Sequence, residues 1–247
     1  MSKIRWEETT ALFGGTFDPP HLGHREAVRG LFKIPRVKRV LIIPNATPPH
    51  KTSFAPTESR VALTRLNFSS TPADPFPAEV AVDLSEIERA EQQKKPSYTY
   101  DTLADIKRRI PNLAFVVGAD ELHLLPKWWR FPEVLQLANW IVLERKPDHG
   151  MANPRSAGAT LAEWEASGLA IAESQRTEMK AWRLKPGNTF LTLAPTDAPA
   201  LSSTTIRETI GRTGEPPQGA LLPEVVQYLK LHGLYGSSKV SSTKGVQ

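Results

Sequence analysis

Short runs of consecutive apolar residues alternate along the chain with segments in which apolar residues recur every three or four positions. The first kind predicts strands at residues 11–13, 38–44, 79–83, 113–117, 140–143 and 190–193. The second kind predicts helices that begin near residues 21, 56 and 98, and shorter ones at 134–137, 204–210 and 223–231. This alternation indicates βαβ units, and therefore an α/β fold with a doubly wound parallel sheet and right-handed crossovers.

Three stretches do not follow this alternation. Residues 89–95 (RAEQQKK) are polar throughout, and we expect a loop there. Residues 152–187 contain a possible amphipathic helix with Leu161, Trp164 and Leu169, and we expect a local elaboration. Residues 236–247 are rich in Ser and Lys, which predicts a disordered tail. The remaining chain, residues 1–235, is expected to form a single domain.

Composition excludes some classes of chemistry. The chain has no cysteine, so disulfides, thiolate metal sites and cysteine nucleophiles are excluded. The net charge of +5 comes from 31 basic and 26 acidic residues that are interspersed, which favours solvated faces over a nucleic-acid site. The first residues lack the apolar segment of a signal peptide, and no apolar run approaches the ~18 residues of a membrane span. The composition alone does not choose between nucleic acid, anionic lipid and phosphorylated small molecules as partners. We expect a cytoplasmic protein that binds neither nucleic acid nor a membrane; its oligomeric state stays open.

The stretch GGTFDPPHLGH, residues 14–24, follows directly after the first predicted strand. Its two glycines allow a sharp turn and a close approach of the backbone to a ligand. His21 and His24 are three residues apart at the start of a predicted helix, so they share a face beside a helix N-terminus, which attracts anions. We interpret the stretch as a phosphate cradle with two hydrogen-bond donors. Surface histidines or a metal pair are the alternatives, although Asp18 is the one further candidate ligand nearby, and the stretch matches neither the P-loop nor the GxGxxG pattern.

HLGH after a strand resembles the HxGH signature of the nucleotidyltransferases, whose fold is related to that of class I aminoacyl-tRNA synthetases. The longer string GGTFDPPHLGH resembles the N-terminal motif of the bacterial nicotinate-nucleotide adenylyltransferases. Four further blocks resemble that family's motifs in its order: residues 44–51 (PNATPPHK), 96–103 (PSYTYDTL), 118–128 (GADELHLLPKW) and 202–207 (SSTTIR). The resemblance extends from about residue 11 to residue 235.

The resemblance implies a Rossmann-like sheet of the nucleotidyltransferase type with a helical C-terminal part. It also implies a reaction of NAD biosynthesis, in which the 5′-phosphate of nicotinate mononucleotide attacks the α-phosphorus of ATP in line and forms deamido-NAD and pyrophosphate. Both reactants are anionic, and positioning and electrostatics can stabilise the transition state without a covalent intermediate. Mg²⁺ is the expected cofactor, held mainly by substrate phosphates and water rather than by protein ligands.

The family's ATP site carries over to this sequence residue by residue. By resemblance it consists of Gly14, Gly15, Thr16, Phe17, His21, His24, Gly118, Asp120, Ser203, Thr204 and Arg207. The expected catalytic residues are His21, His24, Lys51 and Arg207, with His24 nearest the α-phosphate. Ordinary alternatives exist at three places: Lys51 as a solvated loop lysine, Asp120 as a helix cap, and Ser203 with Thr204 as an N-cap.

The mononucleotide site is expected at Tyr98, Thr99, Trp128 and Trp129. The resemblance implies that Trp128 stacks on the nicotinate ring while backbone amides receive its carboxylate; core packing is the alternative for this tryptophan. The chain departs from the family's usual residues at Lys127 and Trp129, and we hypothesise that Lys127 or Arg130 favours the acid over the neutral amide. Two other functions stay open: an adenylyltransferase that prefers nicotinamide mononucleotide, and an inactive nucleotide- or nucleic-acid-binding regulator.

Overall fold

The computed structural model describes residues 8–46, 54–145, 157–173 and 179–237 of the 247-residue chain. In these ranges eight strands form one sheet. They are β1 (Thr9–Gly15), β2 (Val37–Pro44), β3 (Glu79–Val82), β4 (Leu113–Gly118), β5 (Asn139–Arg145), β6 (Ala170–Ala172), β7 (Ala181–Leu184) and β8 (Thr189–Thr196). Their order across the sheet is β3-β2-β1-β4-β5-β8-β7-β6. Neighbours from β3 to β8 run parallel, whereas β7 pairs antiparallel with both β8 and β6.

Eight α-helices are described around this sheet. They are α1 (Leu22–Leu31), α2 (Thr57–Asn67), α3 (Ser85–Gln93), α4 (Thr99–Arg109), α5 (Ala119–Leu122), α6 (Ala157–Ala166), α7 (Ser203–Thr213) and α8 (Pro223–His232). Short 3₁₀ helices lie at Leu125–Lys127, Glu133–Gln136 and Leu234–Gly236. Local sequence explains several boundaries: α8 begins with Pro223, and α7 and α8 end at glycines with positive φ, 76° at Gly214 and 60° at Gly233.

Apolar side chains cover both faces of the central strands, which is why these strands read as continuous apolar runs. On one face Leu12 of β1 joins a core that α4 closes with Leu103. On the other face Phe13 joins a second core that α1 closes with Val28. A third, smaller core joins α2, α7 and α8. With both faces covered, a ligand meets this sheet at the carboxyl ends of its parallel strands.

The α/β class and a mostly parallel sheet are confirmed, and each of the six predicted strands is present within a few residues of its expected bounds. Two further strands, β6 and β7, were not predicted; they run antiparallel at one edge of the sheet, inside the segment expected to be an elaboration. These strands have only three and four residues. The apolar run at residues 169–172 is too short to distinguish a strand from part of a helix, and β7 mixes apolar residues with Arg183.

The prediction of a loop at residues 89–95 is wrong. The helix α3 continues to Gln93 and ends where Lys94 adopts a left-handed φ of 52°. This helix buries only Glu86 and Ile87. Its sequence therefore lacks the apolar stripe that indicates an amphipathic helix.

The predictions for the segment 152–187 and for the C-terminal tail can be compared with the structure in part. The helix α6 ends before Leu169, which follows it in a turn. Gly236 lies in a 3₁₀ helix, and the hydroxyl of the buried Ser237 donates to the carbonyl oxygen of Leu229 at 2.8 Å. Residues 238–247 lie outside the described residues. Disorder of residues 238–247 therefore stays a prediction. The organisation of residues 1–235 as a single domain also stays a prediction.

Candidate active site

The carboxyl ends of the parallel strands open into a cleft of about 870 Å³. Its lining includes the ends of β1, β4, β5 and β8 and the segments that follow β2 and β4. Nine residues predicted for a site line it: Gly14, Gly15, Thr16, Tyr98, Thr99, Gly118, Asp120, Trp128 and Trp129. The fold thus brings three separate sequence blocks together at the edge where parallel sheets bind ligands.

Phe17 supports the glycine loop from the core side. Its buried ring lies 5.5 Å from the ring of Phe68 and 5.2 Å from that of His24, centroid to centroid. A Cβ on Gly15 would lie 2.8 Å from the Phe17 ring, so only glycine lets the loop pass so close. Since the side chain is buried, a nucleotide contact by Phe17 would use its backbone; that contact stays a prediction.

His21 and His24 form a reciprocal cap at the start of α1. The backbone N–H of His24 donates to Nδ1 of His21 at 3.3 Å, and the backbone N–H of His21 donates to Nδ1 of His24 at 3.2 Å. The two rings stack with centroids 3.6 Å apart. Because Nδ1 of each neutral ring accepts a hydrogen bond, its proton is on Nε2, which makes Nε2 a donor in both rings. The cap thus fixes the tautomer that a phosphate oxygen requires.

Gly23, between the two histidines, lines the cleft at the first turn of α1. A Cβ on this residue would lie 2.8 Å from the carbonyl oxygen of Pro199 and 3.0 Å from Nδ1 of His21. Glycine therefore allows the N-terminus of α1 to pack directly against the segment that precedes α7.

The N-terminus of α7 is attached by two side chains to the motif loop, the segment of residues 16–21 between β1 and α1. The hydroxyl of Ser203 donates to the carbonyl oxygen of Pro19 at 2.8 Å, and Nη1 of Arg207 donates to that of Asp18 at 2.6 Å. Nη2 of Arg207 donates to Oγ1 of Thr204 at 3.2 Å. These three residues of α7 do not line the cleft itself, and neither do His21 and His24.

The alternative interpretation of Ser203 and Thr204 as a helix cap is not supported by the geometry. Ser202 occupies the N-cap of α7 and makes no side-chain capping hydrogen bond. The guanidinium of Arg207 also stacks on the exposed ring of Phe54, 4.2 Å from its centroid. Arg207 is thus held in place by the motif loop and by an aromatic ring.

Asp18 is buried and accepts three hydrogen bonds from distant parts of the chain. Its carboxylate accepts from the backbone N–H of Phe54 at 2.7 Å, from that of Ala55 at 3.2 Å, and from the hydroxyl of Tyr235 at 2.5 Å. Burial, and next the hydrogen bond to Asp18, raises the pKa of Tyr235, so this hydroxyl stays protonated as a donor. Asp18 therefore acts as a structural acceptor, which argues against its use as a metal ligand.

A cluster of aromatic side chains lines a second part of the cleft. Trp128 faces the cleft and also packs against Phe115 and Trp140, with ring centroids 6.2 and 6.3 Å away. Trp129 is 46% exposed, and its ring centroid lies 5.0 Å from that of Tyr98. Core packing and contact with a ligand are therefore compatible for Trp128.

Two basic residues flank this cluster of aromatic side chains. Lys127 lines the cleft. Arg130 does not line it, and its guanidinium stacks on Tyr100 at 4.3 Å from the ring centroid. Of the two residues considered for recognition of a carboxylate, Lys127 has the better position.

Gly118 and Asp120 lie together on the cleft wall at the end of β4. A Cβ on Gly118 would collide with Oδ1 of Asp120, so the carboxylate folds back over the glycine. Contact of this pair with a ribose stays a prediction.

Asn45 and Glu86 are two polar residues among the several lining residues that were not predicted from the sequence. Asn45 directly follows β2 and donates its backbone N–H to the carbonyl oxygen of Gly15 at 2.9 Å; its place just after an apolar run was an available signal. Glu86 is buried, and its carboxylate accepts from the backbone N–H of Ala46 at 3.3 Å and from Oγ1 of Thr102 at 2.7 Å. No local pattern marked Glu86.

Lys51, expected to add positive charge to the site, lies outside the described residues. Within the described ranges, no three His, Cys, Asp or Glu side chains are close enough together to hold a metal ion. No helix in those ranges is long and apolar enough to cross a membrane.

Comparison with known proteins adds independent findings. A family model described as cytidylyltransferase-like matches residues 12–209. The probable nicotinate-nucleotide adenylyltransferase of Sodalis glossinidius is 33% identical over 231 residues, which cover 92% of this chain and 96% of that protein. The nicotinate-nucleotide adenylyltransferase of Bacillus subtilis is 36% identical over 166 residues, or 66% of this chain and 82% of that protein. Nicotinic acid mononucleotide adenylyltransferase from Plasmodium falciparum, solved with NaAD, shares the fold with a TM-score of 0.65 at 15% identity, covering 93% of this chain and 98% of that one.

Proposed function

The chain belongs to the cytidylyltransferase-like family and, within it, to the nicotinate-nucleotide adenylyltransferases, and on this basis we propose that it transfers the adenylyl group of ATP to nicotinate mononucleotide. The products are deamido-NAD and pyrophosphate, so the enzyme serves NAD biosynthesis. One observation carries the proposal: the histidine pair, with both Nε2 atoms set as donors, flanks Gly23, and Gly23 lines the same cleft as Trp128 and Trp129.

In the proposed reaction, the ATP phosphates lie against the first turn of α1, where Nε2 of His21 and His24 and the helix N-terminus offset their charge. An oxygen of the mononucleotide phosphate attacks the α-phosphorus, and the bond from that phosphorus to the departing pyrophosphate breaks. His24 stabilises charge on the α-phosphate, while Arg207 and Lys51 stabilise the pyrophosphate. The hydrogen bonds from Arg207 and Ser203 to the motif loop support this placement of α7.

We further propose that Mg²⁺ enters the site bound mainly to ATP oxygens and water, because hard oxygen ligands suit this ion. When bound it supplies additional neutralisation of phosphate charge. Gly14, Gly15, Thr16 and Phe17 bind the nucleotide through backbone groups, and Gly118 and Asp120 contact ribose. Ser203 and Thr204 complete a second anion site beside Arg207. We place the reaction in the cytoplasm, where ATP is available.

The mononucleotide is proposed to lie along Tyr98, Thr99, Trp128 and Trp129, with its ring stacked on Trp128. The positive charge of Lys127 in the same lining favours a carboxylate over a neutral amide. This charge supports nicotinate mononucleotide as the substrate over its amide counterpart.

Pyrophosphate release with ATP and Mg²⁺ tests the proposal, with nicotinate and nicotinamide mononucleotides offered in parallel. We expect a strong preference for the acid. A preference for the amide would retain the chemistry but contradict the assigned substrate. Absence of release with either would contradict adenylyl transfer and favour a nucleotide-binding regulator, for which salt-dependent DNA binding is the next assay.

A further inference from the structure

Arg60 of α2 is 0% exposed and lies behind the motif loop. Its Nη1 donates to the carbonyl oxygens of Thr16 at 2.9 Å and Asn45 at 2.7 Å, and its Nη2 donates to that of Ala46 at 2.7 Å. One guanidinium therefore holds both the loop after β1 and the segment after β2. Thr16 and Asn45 both line the cleft, so these two pieces of chain are parts of its wall.

These hydrogen bonds also set the orientation of peptide groups. A peptide is planar and trans, so its N–H points away from its carbonyl oxygen. With the oxygen of Asn45 held by the guanidinium, the N–H of Ala46 points the other way and donates to Glu86 at 3.3 Å. With the oxygen of Thr16 held likewise, the following residue, Phe17, keeps a φ of 50°, which is unfavourable for a bulky side chain. The guanidinium thus stabilises a loop conformation that needs external support.

A buried cation is costly unless its donors are paired. Here Nη1 and Nη2 donate to backbone carbonyls of two separate segments, while Nε has no partner among the described residues. Burial lowers the pKa of Arg60, and the carboxylate of Asp18 acts in the opposite direction. A lysine could supply the same charge, but it lacks the planar array of donors that reaches three carbonyl oxygens at once. The geometry therefore uses the shape of the guanidinium as well as its charge.

We propose that Arg60 is a positioning residue for adenylyl transfer, which fixes the loop after β1 and the segment after β2 relative to each other without touching substrate. The inference rests on the proposed function for the identity of the two substrates. In-line transfer depends on the mutual placement of the reactants, and a displacement of about 1 Å can cost ~10²-fold in rate.

The test compares wild type, Arg60→Met, Arg60→Lys and the control Arg25→Met by steady-state pyrophosphate release, each well below its own unfolding temperature. Arg25 is a matched control because it is 1% exposed and donates to the carbonyl oxygens of Asn67 at 2.5 Å and Asp74 at 2.9 Å, neither of which lines the cleft. Both Met variants should lower the melting temperature. Only the Arg60 variants should lower kcat, by about 10²-fold, with little change in KM.

Three results would overturn the inference. A near wild-type kcat for folded Arg60→Met would leave Arg60 with a role in stability alone. Full recovery of kcat in Arg60→Lys would assign the effect to charge. An equal loss of kcat in Arg25→Met would assign it to general destabilisation. If Arg60→Met does not fold, the kcat of Arg60→Lys is compared with that of Arg25→Met in its place. A wild type that releases no pyrophosphate would instead refute the proposed function.

Discussion

Replacement of His24 by alanine separates two contributions of one imidazole. The variant removes the Nδ1 that accepts the backbone N–H of His21 at 3.2 Å, and the ring that stacks on His21 at 3.6 Å. Loss of a capping side chain costs about 1 kcal/mol, which should lower the melting temperature of a protein of this size by roughly 2–4 °C. The variant also removes the Nε2 donor proposed for the α-phosphate. Loss of one such donor costs about 10²–10³ in kcat, or ~2.7–4 kcal/mol, so turnover should fall far more than stability.

His24→Gln is the matched variant. His24 occupies the third helical position of α1, where glutamine can close a capping box by accepting the N-cap N–H. The amide oxygen therefore retains the cap, but the amide nitrogen is not held in a planar ring as Nε2 of the imidazole is. We expect a melting temperature near that of wild type and a kcat that is still reduced.

The measurements are kcat from pyrophosphate release and the unfolding midpoint from circular dichroism, with turnover recorded where all variants are folded. Near-normal kcat in His24→Ala would refute the role assigned to this residue. A loss in His24→Ala that His24→Gln restores completely would show that the imidazole ring itself is not required.

Four further variants test three separate contacts. Gly23→Ala should destabilise the fold by about 1–3 kcal/mol through overpacking. Gly30→Ala in the same helix should stabilise it by about 0.5–1 kcal/mol, because a Cβ there meets nothing closer than 3.8 Å. Denaturant titration measures the free energy of unfolding of both variants, and the reverse order of stability would contradict the close packing at α1. Tyr235→Phe should cost about 1–3 kcal/mol at neutral pH, since a buried carboxylate loses a donor. The pKa of Tyr235 is raised in the folded state, mainly by burial, so as the pH rises the unfolded chain loses this proton before the folded protein does, near pH ~10. Wild-type stability should therefore fall above that pH more steeply than the stability of Tyr235→Phe. Parallel curves of stability against pH would argue against the hydrogen bond. Lys127→Ala should reduce the ratio of kcat/KM for the acid to that for the amide mononucleotide, and an unchanged ratio would leave recognition to the backbone.

Strands covered on both faces were the most predictable part of the fold. Residues 40–44 form a continuous apolar run because this part of β2 is buried on both faces of the sheet, so no alternation was needed to find the strand. The cleft was predictable for a related reason. A strand, a glycine loop and a helix in succession place a helix N-terminus at the carboxyl edge of a parallel sheet.

Contacts between distant segments were not predictable from local pattern. Arg60 occupies a position on α2 where a charged side chain is ordinarily solvated, and its burial depends on carbonyl oxygens from two other segments. Glu86 is similar, since its partners lie on the segment after β2 and on α4. Periodicity reports which face of an element is apolar, and it contains no information on polar partners that are remote in sequence.

The hydrogen bond between Tyr235 and Asp18 joins residues 217 positions apart. A ribosome delivers the N-terminal motif first, and contacts of such long sequence separation form late. Until Tyr235 has emerged, the carboxylate of Asp18 lacks its hydroxyl donor, and α7 must also have emerged before Arg207 can reach the same loop. Synthesis of this protein therefore completes the contacts around Asp18 only after Tyr235 has left the ribosome, so a chain that terminates before this residue carries the motif without the contacts that hold it.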